Sequence, residues 1–150
     1  MAVRDPVLVL SPETAFFIVL KAREFHAKVE PVDPDEGSNA ADDRAVDVLQ
    51  FQGDDAVVEE LVSAIGPLNE DERMDLVALI WLGRGDYDFS QWAEAREAAR
   101  GIDPSHALDR LLGSPLASDD LEEGLSLFGH SLGDYLNSGF VAARDELLTA

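Results

Sequence analysis

Charged and amide side chains crowd one stretch of this chain. Lys21, Arg23, Glu24, His26 and Lys28 fall on a single predicted helix, and Asp33, Asp35, Ser38 and Asn39 follow directly after it. Cations facing a loop rich in oxygen acceptors form a polar site that can hold a small polar ligand or a partner peptide. The same residues have a plainer use. Loop carboxylates can neutralise Lys21 and Arg23, while Asp and Asn make turns with their own backbone. Lys21, Arg23, Glu24, Lys28, Asp33, Asp35, Ser38 and Asn39 are therefore the candidate binding residues.

Metal chemistry has weaker support. Asp33, Asp35, Gly37 and Asn39 alternate as calcium-loop ligands do, but Ser38 stands at position 6 and Arg44 at position 12. Asp86, Asp88, Ser90, Glu94 and Glu97 fit positions 1, 3, 5, 9 and 12 better, with Gln91 where the sharp turn needs glycine. Asp88 also serves as an ordinary helix cap, which would draw Ser90 and Glu94 into a helix. The stretch is a weak candidate loop, and no cofactor is expected.

Catalytic groups are sparse. His26, His106 and His130 lie in separate segments without i,i+4 partners or a nucleophile motif. Asp54-Asp55, Glu59-Glu60 and Asp119-Asp120 read as helix starts and solvated faces, because adjacent helical residues point about 100° apart. The chain has no cysteine, which removes thiol nucleophiles, thiolate zinc sites and disulfides. Glycines form neither a GxGxxG nor a Walker pattern. Arg84-Gly85-Asp86 is read as a turn, not as an adhesion tripeptide. This inventory leans away from an enzyme.

Net charge bounds the partners. The 150 residues carry 31 acidic against 11 basic groups, formally −20. Such a sheath repels phosphate, so neither direct nucleic-acid binding nor attachment to an anionic membrane is expected. It suits a basic protein partner or mimicry of a nucleic acid, or serves only as a solvating coat. Apolar stretches fall well short of the roughly 20 residues that span a bilayer. Val7 to Leu10 is too brief for a signal segment, so a cytoplasmic location is expected.

Helices must position these groups. Ser11-Pro12-Glu13 reads as a helix start, and Ala15, Ile18, Ala22, Phe25 and Val29 make an apolar stripe. Glu24 and Lys28 are spaced as an i,i+4 pair. Residues 30–44, rich in Pro, Gly and Asp, form a long ordered loop. Further helices are expected through Val46 to Phe51, Val57 to Ile65 and Met74 to Leu82, the last started by an Asn69/Glu72 capping box and ended at Gly83. Trp92 and Ala95 mark one beginning near Asp88, Leu108 and Leu111 one after Asp103-Pro104, and Leu121 and Leu125 one capped at Ser118. Trp81 and Trp92 lie on apolar faces, as core residues do. Residues 1–10 read as an N-terminal extension and 132–150 as a less regular C-terminal segment. The expected fold is an all-α, single-domain bundle of about six or seven short helices.

Three stretches, in order, resemble a known family. They are LSPETAFFIVLKAREFHAKVEPVDPDEGSNAADD (Leu10 to Asp43), LNEDERMDLVALIWLGRGDYDFSQWAEA (Leu68 to Ala95) and LASDDLEEGLSLFGHS (Leu116 to Ser131). Together they are similar to a small bacterial domain family of unknown function, common in alphaproteobacteria. The resemblance implies a bacterial, cytosolic origin and one shared fold, and it brings no activity, cofactor or catalytic residue. Function then rests on chemistry alone. An acidic helical interaction or regulatory module demands least of these residues; a small-molecule binder or small enzyme using Lys21 to Asn39, and a nucleic-acid mimic, are the alternatives.

Overall fold

Residues 6–29 and 56–137 are described in a computed structural model. They form an all-α bundle: α1 (Pro12–Val29), α2 (Ala56–Ile65), α3 (Glu70–Arg84), a 3₁₀ turn (Phe89–Gln91), α4 (Trp92–Ala98), α5 (Pro104–Leu112) and α6 (Ala117–Leu127). A last helical stretch covers 132–137. No strand occurs among the described residues, and no helix among them is long and apolar enough to cross a membrane. The 30–44 loop, the helix expected through Val46 to Phe51, Gly53-Asp54-Asp55 and residues 138–150 lie outside the described residues.

Local signals explain most helix starts. The Ser11 hydroxyl accepts the N–H of Glu13 at 3.1 Å and of Thr14 at 3.4 Å. Asn69 and Glu72 exchange both capping-box bonds, at 2.8 and 2.9 Å. Gln91 reaches back to the Asp88 N–H at 2.8 Å. Asp103 accepts from the His106 N–H at 2.9 Å, with Pro104 opening α5. Each pairing satisfies a backbone donor that the helix itself leaves free.

α3 is the centre. Met74, Leu76 to Ile80 and Leu82 are all buried, and each large aliphatic chain so buried contributes about 1.5–3 kcal/mol. α6 lies along α3, and at two glycines the backbones come into direct contact. A Cβ at Gly83 would stand 1.7 Å from the Asp120 carbonyl oxygen, and one at Gly124 would stand 2.3 Å from that of Leu79. Gly83 is therefore an interior contact and not the expected helix end. α3 runs on to Arg84 and ends at Gly85, whose φ of 91° is the left-handed cap glycine accepts. α6 corrects a second expectation. Ser118 does not cap it: the helix begins at Ala117, and Ser118 shares the buried face with Leu121, Gly124 and Leu125. Apolar register prevails over capping chemistry there, and the Ser118 hydroxyl has no hydrogen-bond partner among the described residues.

One charged group sits inside this core. Asp75 is fully buried, inside the helix expected through Met74 to Leu82. Its Oδ2 accepts the backbone N–H of Val9 at 2.5 Å and of Leu10 at 2.9 Å, and its Oδ1 accepts Arg96 Nε at 2.6 Å. The Arg96 guanidinium also reaches the Asp71 carbonyl at 3.2 Å and carboxylate at 3.3 Å. The chain entering α1, the middle of α3 and the face of α4 thus meet at one carboxylate, and Leu10 is buried beside it. Trp92, buried on α4, packs edge-on to Phe128 with centroids 4.8 Å apart. Trp81 is only half-buried, beside Tyr87 at 6.0 Å.

Three consequences can be measured by urea unfolding followed by tryptophan fluorescence. Gly83→Ala should lower stability by about 3 kcal/mol, because the new methyl group meets backbone. Gly85→Ala, with open space around it, should cost only about 1 kcal/mol. Equal losses would refute the close approach of α3 and α6. Arg96→Leu should cost about 3 kcal/mol by leaving Asp75 charged and buried without its cation. The Arg96→Leu, Asp75→Leu double variant should cost clearly less than the sum of the single losses, and strict additivity would show that the two groups are not coupled. Finally, the His106 N–H, the Ser105 hydroxyl and the His106 ring hold the Asp103 carboxyl down from 3.8 to about 2. A depressed folded-state value stabilises above the unfolded value and is lost as pH falls through the folded one. The stability gap between wild type and Asp103→Ala should therefore be complete above about pH 4 and close toward about pH 2. A gap constant over that interval would contradict the assignment.

Candidate functional site

The polar face of α1 meets carboxylates from helices. Lys21 Nζ lies 3.2 Å from Glu24 and 3.0 Å from Glu60 of α2, and 5.6 Å from the centroid of the Phe17 ring. The Glu60 hydrogen bond is the main cause holding the Lys21 ammonium above its ordinary value. Arg23 Nη2 bridges Asp119 at 2.7 Å and Glu122 at 2.6 Å, residues one turn apart on α6. Glu24, spaced for Lys28, is thus engaged by Lys21 one turn before it. Lys28 is exposed, while Asp33, Asp35, Ser38 and Asn39 lie outside the described residues. Lys21 and Arg23 act as ties from α1 to α2 and to α6, a role for which the pairing partners Glu60, Asp119 and Glu122 carried no local signal.

The histidines are not brought together. His26 is buried, and its Nε2–H donates to the Leu111 carbonyl at 2.8 Å, joining α1 to α5. A carbonyl can only accept, so that nitrogen carries the proton. His106 is exposed, and its Nδ1 lies 2.9 Å from the Asp103 carboxylate. His130 follows α6 and lines a cleft of about 210 Å³ with Phe16, Ser131 and Tyr135. The calcium-like residues do not converge either. Asp86 sits 3.6 Å from Arg84, Ser90 lies within the 3₁₀ turn, and Glu97 on α4 pairs with Arg100 at 2.9 Å. Among the described residues no group of three or more His, Asp or Glu is placed to hold a metal ion.

The surface between α1 and α2 has a different character. Two adjoining clefts, about 520 and 570 Å³, share Phe17, Ser63 and Ala64. Leu68 and Tyr135 extend the apolar side of the larger one. Glu13 and Glu72 line that cleft and Glu59 and Glu60 the smaller; no Lys or Arg is among the described residues lining either, although Lys21 pairs with Glu60 and lies over the Phe17 ring at their edge. Phe16 and Tyr135 stack with centroids 5.4 Å apart, so the 132–137 stretch is held against α1 beside the larger cleft. The helical period explains the arrangement: Glu13 and Phe17 are i,i+4 on α1, while Glu59 and Ser63, and Glu60 and Ala64, are i,i+4 on α2. Apolar floor and acidic rim are thus laid down in parallel on two helices. The candidate residues between Lys21 and Asn39 do not include this face, although Phe17 is an aromatic residue beside the α1 stripe.

Comparison with known proteins gives a match over part of the chain. No curated protein and no solved structure matches the chain. Residues 58–130, from α2 to the end of the α6 segment, match the model of a family described as "Protein of unknown function (DUF3775)". That segment contains the Leu68 to Ala95 stretch and all but the last residue of the Leu116 to Ser131 stretch, while the Leu10 to Asp43 stretch lies outside it.

Proposed function

We propose that this protein is an acidic interaction module whose α1–α2 face receives a basic, amphipathic segment of a protein partner. The carrying observation is the pair of clefts with Phe17 and Ala64 at their centre and Glu13, Glu59 and Glu72 around them. Apolar floors bind by area removed from water, and a surrounding ring of one charge sets orientation and encounter rate. A helix carrying Leu or Val on one face and Lys or Arg beside it satisfies both. The small-ligand alternative at Lys21 and Arg23 has less to offer a ligand, because both cations are engaged twice by the protein's own carboxylates. The acidic surface here is organised around an apolar floor, which is what separates a docking face from a uniform solvating coat.

A synthetic amphipathic Leu/Lys helix supplies the test, by fluorescence anisotropy at two salt concentrations. Wild type should bind it, and binding should weaken with salt. Glu13→Lys combined with Glu59→Lys should weaken it about tenfold, equivalent to about 1.4 kcal/mol. Glu94→Lys combined with Glu123→Lys makes the same change in net charge at exposed residues off this face and should leave affinity within about twofold. Equal weakening by the two pairs would mean that net charge alone attracts the peptide, and the docking face would be lost as an explanation.

A further inference from the structure

A further cleft, unlike those between α1 and α2 in composition, lies where α3, α5 and α6 meet. It measures about 360 Å³, within the range of small-molecule sites. Its apolar lining includes Ile80, Ala117 and Leu116, the last 64% exposed despite its size. Its charged lining is mixed: Arg84 and Arg110 with Asp109 and Asp120. Every one of these residues falls within the family-matched segment 58–130.

Arg110 is the unusual member. With 31 acidic residues for 11 basic ones, carboxylates are abundant, and Lys21, Arg23, Arg96 and Arg100 are each engaged by at least one. Arg110 makes no ion pair among the described residues. Its guanidinium instead lies over the Trp81 ring, 5.0 Å from the centroid. A guanidinium held over an aromatic face keeps N–H donors available, which suits an incoming planar carboxylate. Arg84 beside it is only loosely engaged, 3.6 Å from Asp86. A phosphate dianion is disfavoured by Asp86, Asp109 and Asp120 nearby. The same carboxylates favour a ligand that carries an ammonium as well as a carboxylate, and Leu116 and Ile80 favour an aliphatic body.

We infer that this cleft binds a free aliphatic α-amino acid. The carboxylate lies on the Arg110 and Arg84 guanidiniums, the ammonium faces Asp109 and Asp120, and the side chain rests against Leu116. The site does not depend on the α1–α2 docking face. An amino acid here would give the module a small-molecule input separate from its protein contact.

Titration with L-leucine, followed by the Trp81 indole N–H resonance and by calorimetry, tests the assignment. Saturable binding with a Kd of about 1 mM or tighter is expected. L-Leucinamide, lacking the carboxylate, and 4-methylpentanoate, lacking the ammonium, should each bind at least about tenfold more weakly. Arg110→Gln should weaken leucine binding by a similar factor. Arg84→Gln, at an exposed site where folding is not at stake, should weaken it by about threefold or more. Glu13→Lys with Glu59→Lys should leave it unchanged, which separates this site from the docking face. No saturable shift at about 20 mM leucine, or binding by Arg110→Gln equal to wild type, would overturn the inference, as would tight binding of leucinamide.

Discussion

A single carboxylate placed where no water reaches sets the arrangement of this bundle. Asp75 has to be solvated by the protein, since an ionised carboxylate left bare in such a place costs several kcal/mol. Two backbone N–H groups from the chain before α1 and one guanidinium from α4 supply that solvation. Each partner comes from a different part of the chain, so satisfying the charge means assembling all three. A leucine at that position could pack equally well while leaving the entry of α1 unspecified. The buried charge therefore favours one arrangement of the helices over its near neighbours more than it adds stability.

Other polar contacts follow the same logic at lower stakes. Lys21 ties α1 to α2, Arg23 ties α1 to α6, and His26 ties α1 to α5. Arg73 donates to the Ile102 and Leu68 carbonyls at 3.0 and 2.7 Å, holding the turn before α5 and the end of the α2–α3 link to α3. Among the described residues Lys21, Arg23, Arg73 and Arg96 are spent on joining elements, whereas Arg84 and Arg100 pair locally and Arg110 lies over Trp81. A strongly acidic chain must place its few bases with care, because each surplus carboxylate near another raises the free energy of the compact state.

Features carried by neighbouring residues were legible in the sequence. Ser11, Asn69 with Glu72, and Asp103 with Pro104 announce helix starts through contacts within three or four residues, and all three appear as read. Periodic apolar faces were legible too, from Ala15 to Phe25 and from Val57 to Ile65. Features made by distant residues were not. Asp75 meets Val9 and Arg96 only after folding, and its pattern is one carboxylate in an apolar run. Gly83 looked like a helix end because glycine serves equally for a stop and for a close approach, and only the position of α6 distinguishes them. Ser118 misled for the converse reason: its type suits a cap, but the apolar period of α6 places it inside. The docking face needed α1 and α2 side by side, which neither helix's own pattern states.

The pairing of α3 with α6 has a further consequence for how the molecule moves. Where Gly83 meets Asp120 and Gly124 meets Leu79, the surfaces in contact are main chain. Side-chain interfaces can relax by changing rotamers, and helices joined that way can slide in small steps. Main chain has no rotamers to exchange, so this seam admits one register and resists gradual slippage. The two helices should open to solvent as one cooperative unit. The larger α1–α2 cleft borders that unit through Glu72 in the first turn of α3, and the Arg110 cleft borders it through Arg84 and Ala117, where α3 ends and α6 begins. The α3–α6 pair thereby gives clefts at opposite ends of the seam one shared wall, joined backbone to backbone.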